Sequence, residues 1–201
     1  MTTSYSFPTP IWIYDFQSKA EHNELTKLSQ LALKEADEAG VGVKKSNRGN
    51  SFHTVENFLG EYPKSPLHKM LTPHIAHALK DYGYDPTYIV SVGYWSIISF
   101  EGAYNERHHH PNSLLSGAFY VDAPHGSGAL VFTEPRYGKL MENRAGRDEN
   151  AMIHKHQRII PTTGRLVIFP SYLEHQVELT TSVEPRIIYS FNVQMIKPTK
   201  P

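Results

Sequence analysis

The sequence predicts a mainly β protein, a cupin-like jelly roll of two sheets supported by two or three helices. Near the N-terminus, apolar residues recur every three or four positions in two stretches, the spacing of amphipathic helices. From Tyr88 onward the pattern changes to short apolar runs separated by turn signals. Helices followed by about eight short strands pack as a helical layer on a double sheet. We therefore expect one domain over residues 1–201, with helical support in 1–87 and the jelly roll in 88–197.

Composition excludes several classes of protein. Lys plus Arg and Asp plus Glu each total 20, so no net charge favours nucleic acid or acidic membranes. The chain has 0 cysteines, which excludes disulfides, a thiol nucleophile and thiolate-bound metal. No apolar run reaches the ~20 residues that span a bilayer, and the first residues lack the order of a signal peptide. We expect a cytoplasmic protein.

The first predicted elements are a strand and a helix. Residues 7–14 alternate as a short β segment whose prolines are confined to its entry. Ser18 is a suitable N-cap for the helix that follows, and Gly40 is its stop signal. Its apolar stripe consists of Leu25, Leu28, Leu31, Ala32 and Ala36.

Residues 43–57 are polar and rich in Ser, Asn and Gly, which predicts a loop of the kind that often lies over an active site. A second helix is predicted from Pro66 to Gly83, with Pro73 kinking or splitting it. The histidines of this helix are interpreted as surface residues, since no further metal-ligand candidates lie near them in sequence. They are His68, His74 and His77.

The remaining elements are predicted as strands. These are residues 88–100, 114–121, 129–133, 152–160, 166–169, 174–179 and 186–196. Between them, residues 136–150 are charged and contain glycine, which predicts a loop near the mouth of the jelly roll.

Three consecutive histidines precede the strand at 114–121. Because alternate residues of an extended chain point to the same side, His108 and His110 can converge while His109 faces away. A metal site needs a third ligand, and His175 is the best candidate. The expected catalytic and metal-binding residues are therefore His108, His110 and His175. The alternative is that these histidines bind no metal and form a polar surface turn.

The last predicted strand carries a candidate anion-binding side chain. Arg186, Ile188, Ser190 and Asn192 share one face, so a guanidinium and a hydroxyl point the same way. Together they suit a buried carboxylate of a cosubstrate, although Arg186 could instead pair with a surface carboxylate. On the strand after the histidines, Ser116 and Tyr120 share a face and could add hydroxyl donors to the same pocket, although a tyrosine packed in the core is nearly as good an explanation.

A second His-x-His pair, His154 and His156, could also chelate a metal along one face of a strand. Lys155 and Arg158 surround it with positive charge, which disfavours a cation. We interpret this pair as a polar strand edge.

These motifs together resemble a known family. The order of His-x-His-Pro-x-Ser at 108–113, Ser-Gly-Ala-Phe-Tyr-Val at 116–121, Gly-Arg-Leu-Val-Ile-Phe-Pro-Ser at 164–171, His175 and Arg186 resembles the 2-oxoglutarate/Fe(II) oxygenases. Residues 7–12 and 95–105 also look like that family. It belongs to the double-stranded β-helix superfamily that includes the prolyl hydroxylases.

The resemblance implies an Fe(II)-dependent dioxygenase. His108, His110 and His175 would hold the iron, and Arg186 would bind the far carboxylate of 2-oxoglutarate, supported by Ser190 and Tyr120. Dioxygen would be consumed, with hydroxylation as the default outcome. Most of the superfamily has an acidic residue where this chain has His110. Other carboxylates near the motif, Glu106 and Glu174, have the wrong register to replace it.

Two other functions stay open at this point. One is a cupin-like three-histidine metalloenzyme that does not use 2-oxoglutarate, and the other is a non-catalytic jelly-roll binding module. The prime substrate is not identified, since a peptide, an amino acid or a small metabolite would fit. We expect the loops at 43–57 and 136–150 to shape its pocket. A homodimer through the helical face is compatible with the sequence, which gives no specific evidence for it.

Overall fold

The computed structural model describes residues 2, 6–39, 45–54, 66–84, 89–142 and 154–196. Within these ranges, eleven strands form two antiparallel sheets, six-stranded (β1-β9-β6-β11-β4-β3) and five-stranded (β2-β5-β10-β7-β8). The strands are β1 Trp12–Asp15, β2 Asn47–Arg48, β3 Ser51–His53, β4 Ile89–Ser99, β5 Tyr104–His108, β6 Leu115–Asp122, β7 Leu130–Thr133, β8 His156–Ile159, β9 Arg165–Pro170, β10 His175–Val177 and β11 Arg186–Ile196. The helices are α1 Lys19–Ala39, α2 Pro66–Asp81 and α3 Tyr137–Leu140. The predicted double-stranded β-helix with supporting helices is confirmed.

The six-stranded sheet separates two apolar layers. On β11, Tyr189 and Phe191 face the layer that contains the helices, whereas Ile188 faces the layer between the two sheets. β6 divides in the same way, with Phe119 on the helical side and Tyr120 on the inner side. This follows from the two-residue period of a strand, which sends successive side chains to opposite faces.

The helical layer covers the outer face of this sheet. Leu28 of α1 and both Leu67 and Leu71 of α2 are fully buried against it. These positions belong to the three- and four-residue apolar spacing of each helix, so the sequence predicted this packing. The outer face is thereby sealed, and the inner face is left to build a site.

The prediction of a loop at residues 43–57 was wrong in part, because this stretch contains the short strands β2 and β3, which belong to different sheets. Gly49 turns the chain with a positive φ of 70°, and a Cβ there would lie 2.2 Å from the carbonyl oxygen of Gly102. β2 pairs with β5 and β3 pairs with β4. Strands this short carry no readable periodicity, since their pairing comes from backbone hydrogen bonds to distant strands. Residues 43–44 and 55–57 of the predicted loop lie outside the described residues.

β5 itself was not predicted, and it ends on His108. Its residues are mostly polar and exposed, a pattern that does not distinguish a strand from a loop. After it, Asn112 adopts a left-handed φ of 64°, which asparagine tolerates better than most residues. This turn leads the chain from the histidines into β6.

Two further predictions need correction in part. α2 continues through Pro73 without being split. Pro73 and Lys69, whose carbonyl loses its helical partner, both lie on the exposed side of the helix, where water can satisfy that carbonyl. The predicted loop at 136–150 begins with the short helix α3, and residues 143–150 lie outside the described residues.

The helices of the described ranges include none that is long and apolar enough to cross a membrane. The single domain over residues 1–201 stays a prediction, and its internal boundary at 87/88 falls outside the described residues.

We expect the Leu28→Ala variant to lower the free energy of unfolding by about 2–5 kcal/mol, because Leu28 is 1% exposed and its truncation leaves a cavity. Leu33 on the same helix is 45% exposed, so Leu33→Ala should change stability by less than about 0.5 kcal/mol. Urea denaturation of both variants measures the difference. Equal losses would show that α1 does not pack on the sheet as described.

Candidate active site

A cavity of about 380 Å³ opens between the inner faces of the two sheets. The six-stranded sheet contributes residues of β3, β4, β6, β9 and β11, and the five-stranded sheet contributes residues of β5, β7 and β10. The volume lies within the range of small-molecule sites. All three histidines of the sequence prediction line it, as does Arg186.

Strand pairing brings the three histidines together. His108 lies directly opposite His175 on the paired strands β5 and β10. His110 lies just beyond β5, where its backbone N–H donates to the carbonyl of Ser171 at 3.0 Å. One ring nitrogen from each histidine lies within 4.8 Å of the others, a spacing that suits a shared metal ion. His109 is exposed and is not part of this group.

Two backbone carbonyls fix the orientation of the imidazoles. His108 Nδ1 donates to the carbonyl of Glu106 at 2.7 Å, and His175 Nδ1 donates to the carbonyl of Leu173 at 2.9 Å. A carbonyl can only accept, so the proton sits on Nδ1 in both rings. Each neutral ring therefore offers the lone pair of Nε2, which is the arrangement that metal-binding histidines commonly use.

Burial keeps these histidines neutral. Desolvation, followed by the neighbouring His108, lowers the pKa of His110 to about 4. Desolvation is also the main cause that lowers the pKa of His108, and it lowers the pKa of His175 well below its ordinary value. Metal binding requires deprotonated imidazole. At neutral pH the three side chains are in the state that a metal needs.

Arg186 is the most deeply buried charge in the cavity, with 0% exposure. Its Nη1 donates to the carbonyl of Gly128 at 3.2 Å and its Nη2 to Ser99 Oγ at 2.9 Å, while its buried Nε has no partner. Burial lowers the pKa of this guanidinium. Among the described lining residues there is no carboxylate to compensate it. A buried, uncompensated guanidinium with an unused N–H fits an acidic ligand.

The three predicted hydroxyl groups have different surroundings. Tyr120 is buried, lines the cavity and interacts electrostatically with Arg186, and burial raises the pKa of its phenol. Ser190 also lines the cavity. Ser116 does not. Its hydroxyl donates to Asn192 Oδ1 at 2.7 Å and lies 2.7 Å from the hydroxyl of Ser171. Ser116 therefore orients Asn192, whose side chain does line the cavity.

The nearby carboxylates are engaged elsewhere. Glu106 forms an ion pair with Arg48, and Glu174 forms one with Arg107 at 3.4 Å. Neither carboxylate lines the cavity. As the register predicted, neither is placed to replace His110.

The second His-x-His pair lies in a different cavity. His154 and His156 line it beside Lys155 and Arg136. In the described parts of the chain, the group at His108, His110 and His175 is the one whose donor atoms are close enough to share an ion.

Sequence reasoning missed several residues at the cavity mouth. Lys45 and His53 lie within the predicted loop at 43–57, on either side of β2, and Trp95 lies on β4. Asn105 lies on β5 and also lines the cavity. The prediction that residues 43–57 lie over the site pointed to this region. The alternation in β4 could have identified Trp95, since Tyr94 faces the helices and its neighbour must face inward.

Solved structures share the fold. The structure of a prolyl-4-hydroxylase from Pseudomonas putida has 14% identity, covers 92% of this chain and 92% of its own, and has a TM-score of 0.64. The epimerase SnoN in complex with Fe3+, alpha ketoglutarate and nogalamycin RO has 14% identity, coverages of 92% and 79%, and a TM-score of 0.61. A prolyl hydroxylase from Trichoplax adhaerens in complex with a hypoxia inducible factor peptide has 12% identity, coverages of 92% and 83%, and a TM-score of 0.58. No curated protein matches the chain by sequence.

The jelly roll with three clustered imidazoles and a buried guanidinium defines a metal-dependent enzyme of the double-stranded β-helix class. Residues 93–192 match the family described as "Putative 2OG-Fe(II) oxygenase". Over this range the chain is similar to that family, and the protein is a 2-oxoglutarate- and Fe(II)-dependent enzyme with Fe(II) and 2-oxoglutarate as its cofactors, as the resemblance predicted.

His53 provides a pH test of the cavity wall. Burial lowers its pKa from 6.5 to about 4, so the unfolded chain takes up this proton first as the pH falls. The metal-free protein should lose stability between pH 6.5 and about 4, and His53→Gln should make this loss shallower by up to about 1.4 kcal/mol per pH unit, the value for one proton. Urea unfolding across this range measures the slope. His77→Gln on the exposed side of α2 is the matched control, and an unchanged slope in His53→Gln would contradict the described burial.

Proposed function

We propose that the protein is a hydroxylase that couples oxidative decarboxylation of 2-oxoglutarate with hydroxylation of a C–H bond in a substrate. One molecule each of 2-oxoglutarate, dioxygen and substrate would give succinate, carbon dioxide and the alcohol. The observation that supports this most is that one cavity holds both the cluster of three neutral imidazoles and a buried guanidinium without a carboxylate partner.

In this proposal His108, His110 and His175 hold the iron, each through one ring nitrogen. Their cluster occupies one side of the cavity, which leaves room for the cosubstrate and dioxygen on the other side. When bound, the metal and 2-oxoglutarate supply the oxidative chemistry. The chain's own residues bind the reactants, orient them and exclude water from the space between the two sheets.

Arg186 binds the far carboxylate of 2-oxoglutarate. Its guanidinium is held in place by Gly128 and Ser99, so Nε is free to donate to a carboxylate oxygen. Tyr120 and Ser190 add neutral hydroxyl donors. For Tyr120, no hydrogen-bond partner exists among the described residues, and its phenol lies near Arg186, so a carboxylate bound there would receive two donors.

The hydrogen-bonded series Ser171, Ser116 and Asn192 has a supporting role. Ser116 donates to the amide oxygen of Asn192, so the amide nitrogen is the group that remains to donate into the cavity. We assign Ser116 to positioning Asn192 and not to direct contact with 2-oxoglutarate.

The imidazole of His110 distinguishes this site from a two-histidine, one-carboxylate set. Three neutral ligands leave the full double charge of the metal in the cavity, and Arg186 adds another positive charge. The 2-oxoglutarate dianion offsets much of this charge, since one carboxylate contacts the metal and the other contacts Arg186. The cosubstrate thus neutralises more of the positive charge of the metal and Arg186 here than it would in a site with a protein carboxylate.

A three-histidine enzyme that does not use 2-oxoglutarate is the second candidate. The same histidine cluster favours it, but it leaves the buried guanidinium of Arg186 without a ligand. A non-catalytic binding module does not account for the match to an oxygenase family. A cytoplasmic location, the absence of a nucleic-acid partner and a homodimer through the helical face stay predictions.

Anaerobic addition of Fe(II) and then 2-oxoglutarate tests the proposed function. We expect the weak visible charge-transfer band of an Fe(II)–2-oxoglutarate chelate to form, and succinate to appear after oxygen is admitted. Binding of Fe(II) without the band and without succinate would favour the second candidate.

Arg186→Met should weaken 2-oxoglutarate binding at least about 30-fold, because truncating a buried charged partner costs about 2 kcal/mol or more. Fe(II) binding should persist, since Arg186 is not among the clustered metal ligands. Titration of the visible band with 2-oxoglutarate gives the affinity for the cosubstrate, and titration with Fe(II) at saturating 2-oxoglutarate gives the affinity for the metal. Arg158→Met, on the exposed edge strand β8, is the matched control, and equal affinities in the two variants would remove Arg186 from the cosubstrate site.

His110→Ala should lower the affinity for Fe(II) or Ni(II) by at least about tenfold, because the cluster loses one of its three donors. His109→Ala should keep the affinity, since the neighbouring imidazole lies outside the cluster. Calorimetric metal titration compares the two variants. Loss of affinity in His109→Ala with none in His110→Ala would overturn the ligand assignment.

A further inference from the structure

The cavity carries positive charge at both ends. Among its described lining residues, the side chains that are always cationic are Lys45 and Arg186, and there is no Asp or Glu. Arg186 donates a hydrogen bond to Ser99, and Lys45 lies over the ring of Trp95. Ser99 and Trp95 are four residues apart on β4, which corresponds to about 13 Å of extended strand. Arg186 is fully buried and Lys45 is exposed, so the two cations lie at opposite ends of the cavity.

The cosubstrate accounts for only one of these cations. In the proposed function, the two carboxylates of 2-oxoglutarate contact the metal and Arg186. Lys45 forms no ion pair in the described part of the chain, and its ammonium lies 5.5 Å from the centre of the Trp95 ring. A cation over an aromatic ring keeps donors free for a further partner, since the ring uses none of its hydrogen bonds.

The Trp95 ring lies beside Lys45 and two of the cavity histidines. Its side chain is 5% exposed, and its ring stacks on His53 at 5.8 Å with an interplanar angle of 12°. Its ring centre also lies 6.0 Å from that of His110. His53 is held by a hydrogen bond from Nδ1 to the carbonyl of Thr54, so Nε2 is an acceptor at the cavity wall. An apolar surface thus leads from a cation at the mouth to the metal ligands.

The positions of Lys45 and Trp95 indicate a class of substrate for the enzyme, provided that the proposed function holds. We propose that the prime substrate is a small carboxylic acid, whose carboxylate binds Lys45 while its carbon skeleton lies along Trp95 towards the three histidines. At about 380 Å³ the cavity is near the small end of ligand sites, and 2-oxoglutarate takes part of that space. A small acid fits the remainder, whereas most of a peptide would lie outside. His53 Nε2 can accept a hydrogen bond from a hydroxyl or N–H of the substrate.

Trp95 provides the probe for this proposal. The chain has 2 tryptophans, so Trp12→Phe leaves Trp95 as the sole indole fluorophore. Trp12 donates to Asp81 on the helical side of the fold, away from the cavity. In this background, a panel of N-acetyl amino acids and the matching carboxamides is titrated into protein loaded with Zn(II) and 2-oxoglutarate, and into the metal-free protein. Quenching of Trp95 reports binding.

We expect at least one acid to bind about tenfold more tightly than its amide, because only the acid forms a charge-assisted hydrogen bond with Lys45. Lys45→Met should reduce this ratio to below about twofold, and Lys45→Arg should restore it, since the charge returns. Lys69→Met on the exposed side of α2 is the matched control and should keep the ratio.

Equal binding of acids and amides, or no binding by any acid of the panel, would overturn the proposal. So would an acid preference that survives Lys45→Met. The proposed function fails separately: if 2-oxoglutarate forms no chelate with Fe(II), the acid preference of the metal-free protein and its dependence on Lys45 still decide whether this end of the cavity binds carboxylates.

Discussion

The direct pairing of His108 with His175 across β5 and β10 is the constraint on which the site depends. Side chains directly opposite on antiparallel strands lie about 5 Å apart, close enough to share one ion. The position of His110 then follows from the chain, since it lies two residues beyond His108 and its backbone is held by Ser171. A shift of β10 by one residue would turn His175 to the other face and leave two imidazoles without a third.

The same alternation in β11 supplies the other half of the site. Tyr189 and Phe191 bury their rings on the helical side, and this fixes Arg186, Ile188 and Ser190 on the inner side. Burial of a guanidinium without a carboxylate is unfavourable. It is tolerated here because extensive apolar burial on the opposite face of the same strand fixes the register. Packing of β11 against the helical layer therefore keeps Arg186 buried although it has no carboxylate partner among the described lining residues.

The sequence predicted those parts of the structure in which side chains of one type recur at a regular spacing. The faces of residues 186–192, the helix stripes and the convergence of His108 with His110 all follow from two- or four-residue spacing. The short strands β2 and β3 have no such signal, because each forms by pairing with a strand that is distant in sequence. Lys45 and His53 reach the cavity from this stretch, so their contribution could not be inferred. Trp95 was accessible in principle, because the burial of Tyr94 on the helical side requires its neighbour to point inward.

The electrostatics of the cavity connect these features. An imidazole at His110, in place of a carboxylate, and cations at both ends give a site whose described lining contains no negative charge. Such a site favours anions twice, once deep in the cavity at Arg186 and once at its mouth beside Trp95. A neutral ligand would leave positive charge uncompensated beside the buried Arg186, where the low dielectric strengthens unbalanced interactions, and would form no charge-assisted hydrogen bond with the exposed Lys45. If the three imidazoles hold the metal as proposed, 2-oxoglutarate and an acidic substrate would together offset the positive charge that a protein carboxylate at position 110 would otherwise balance.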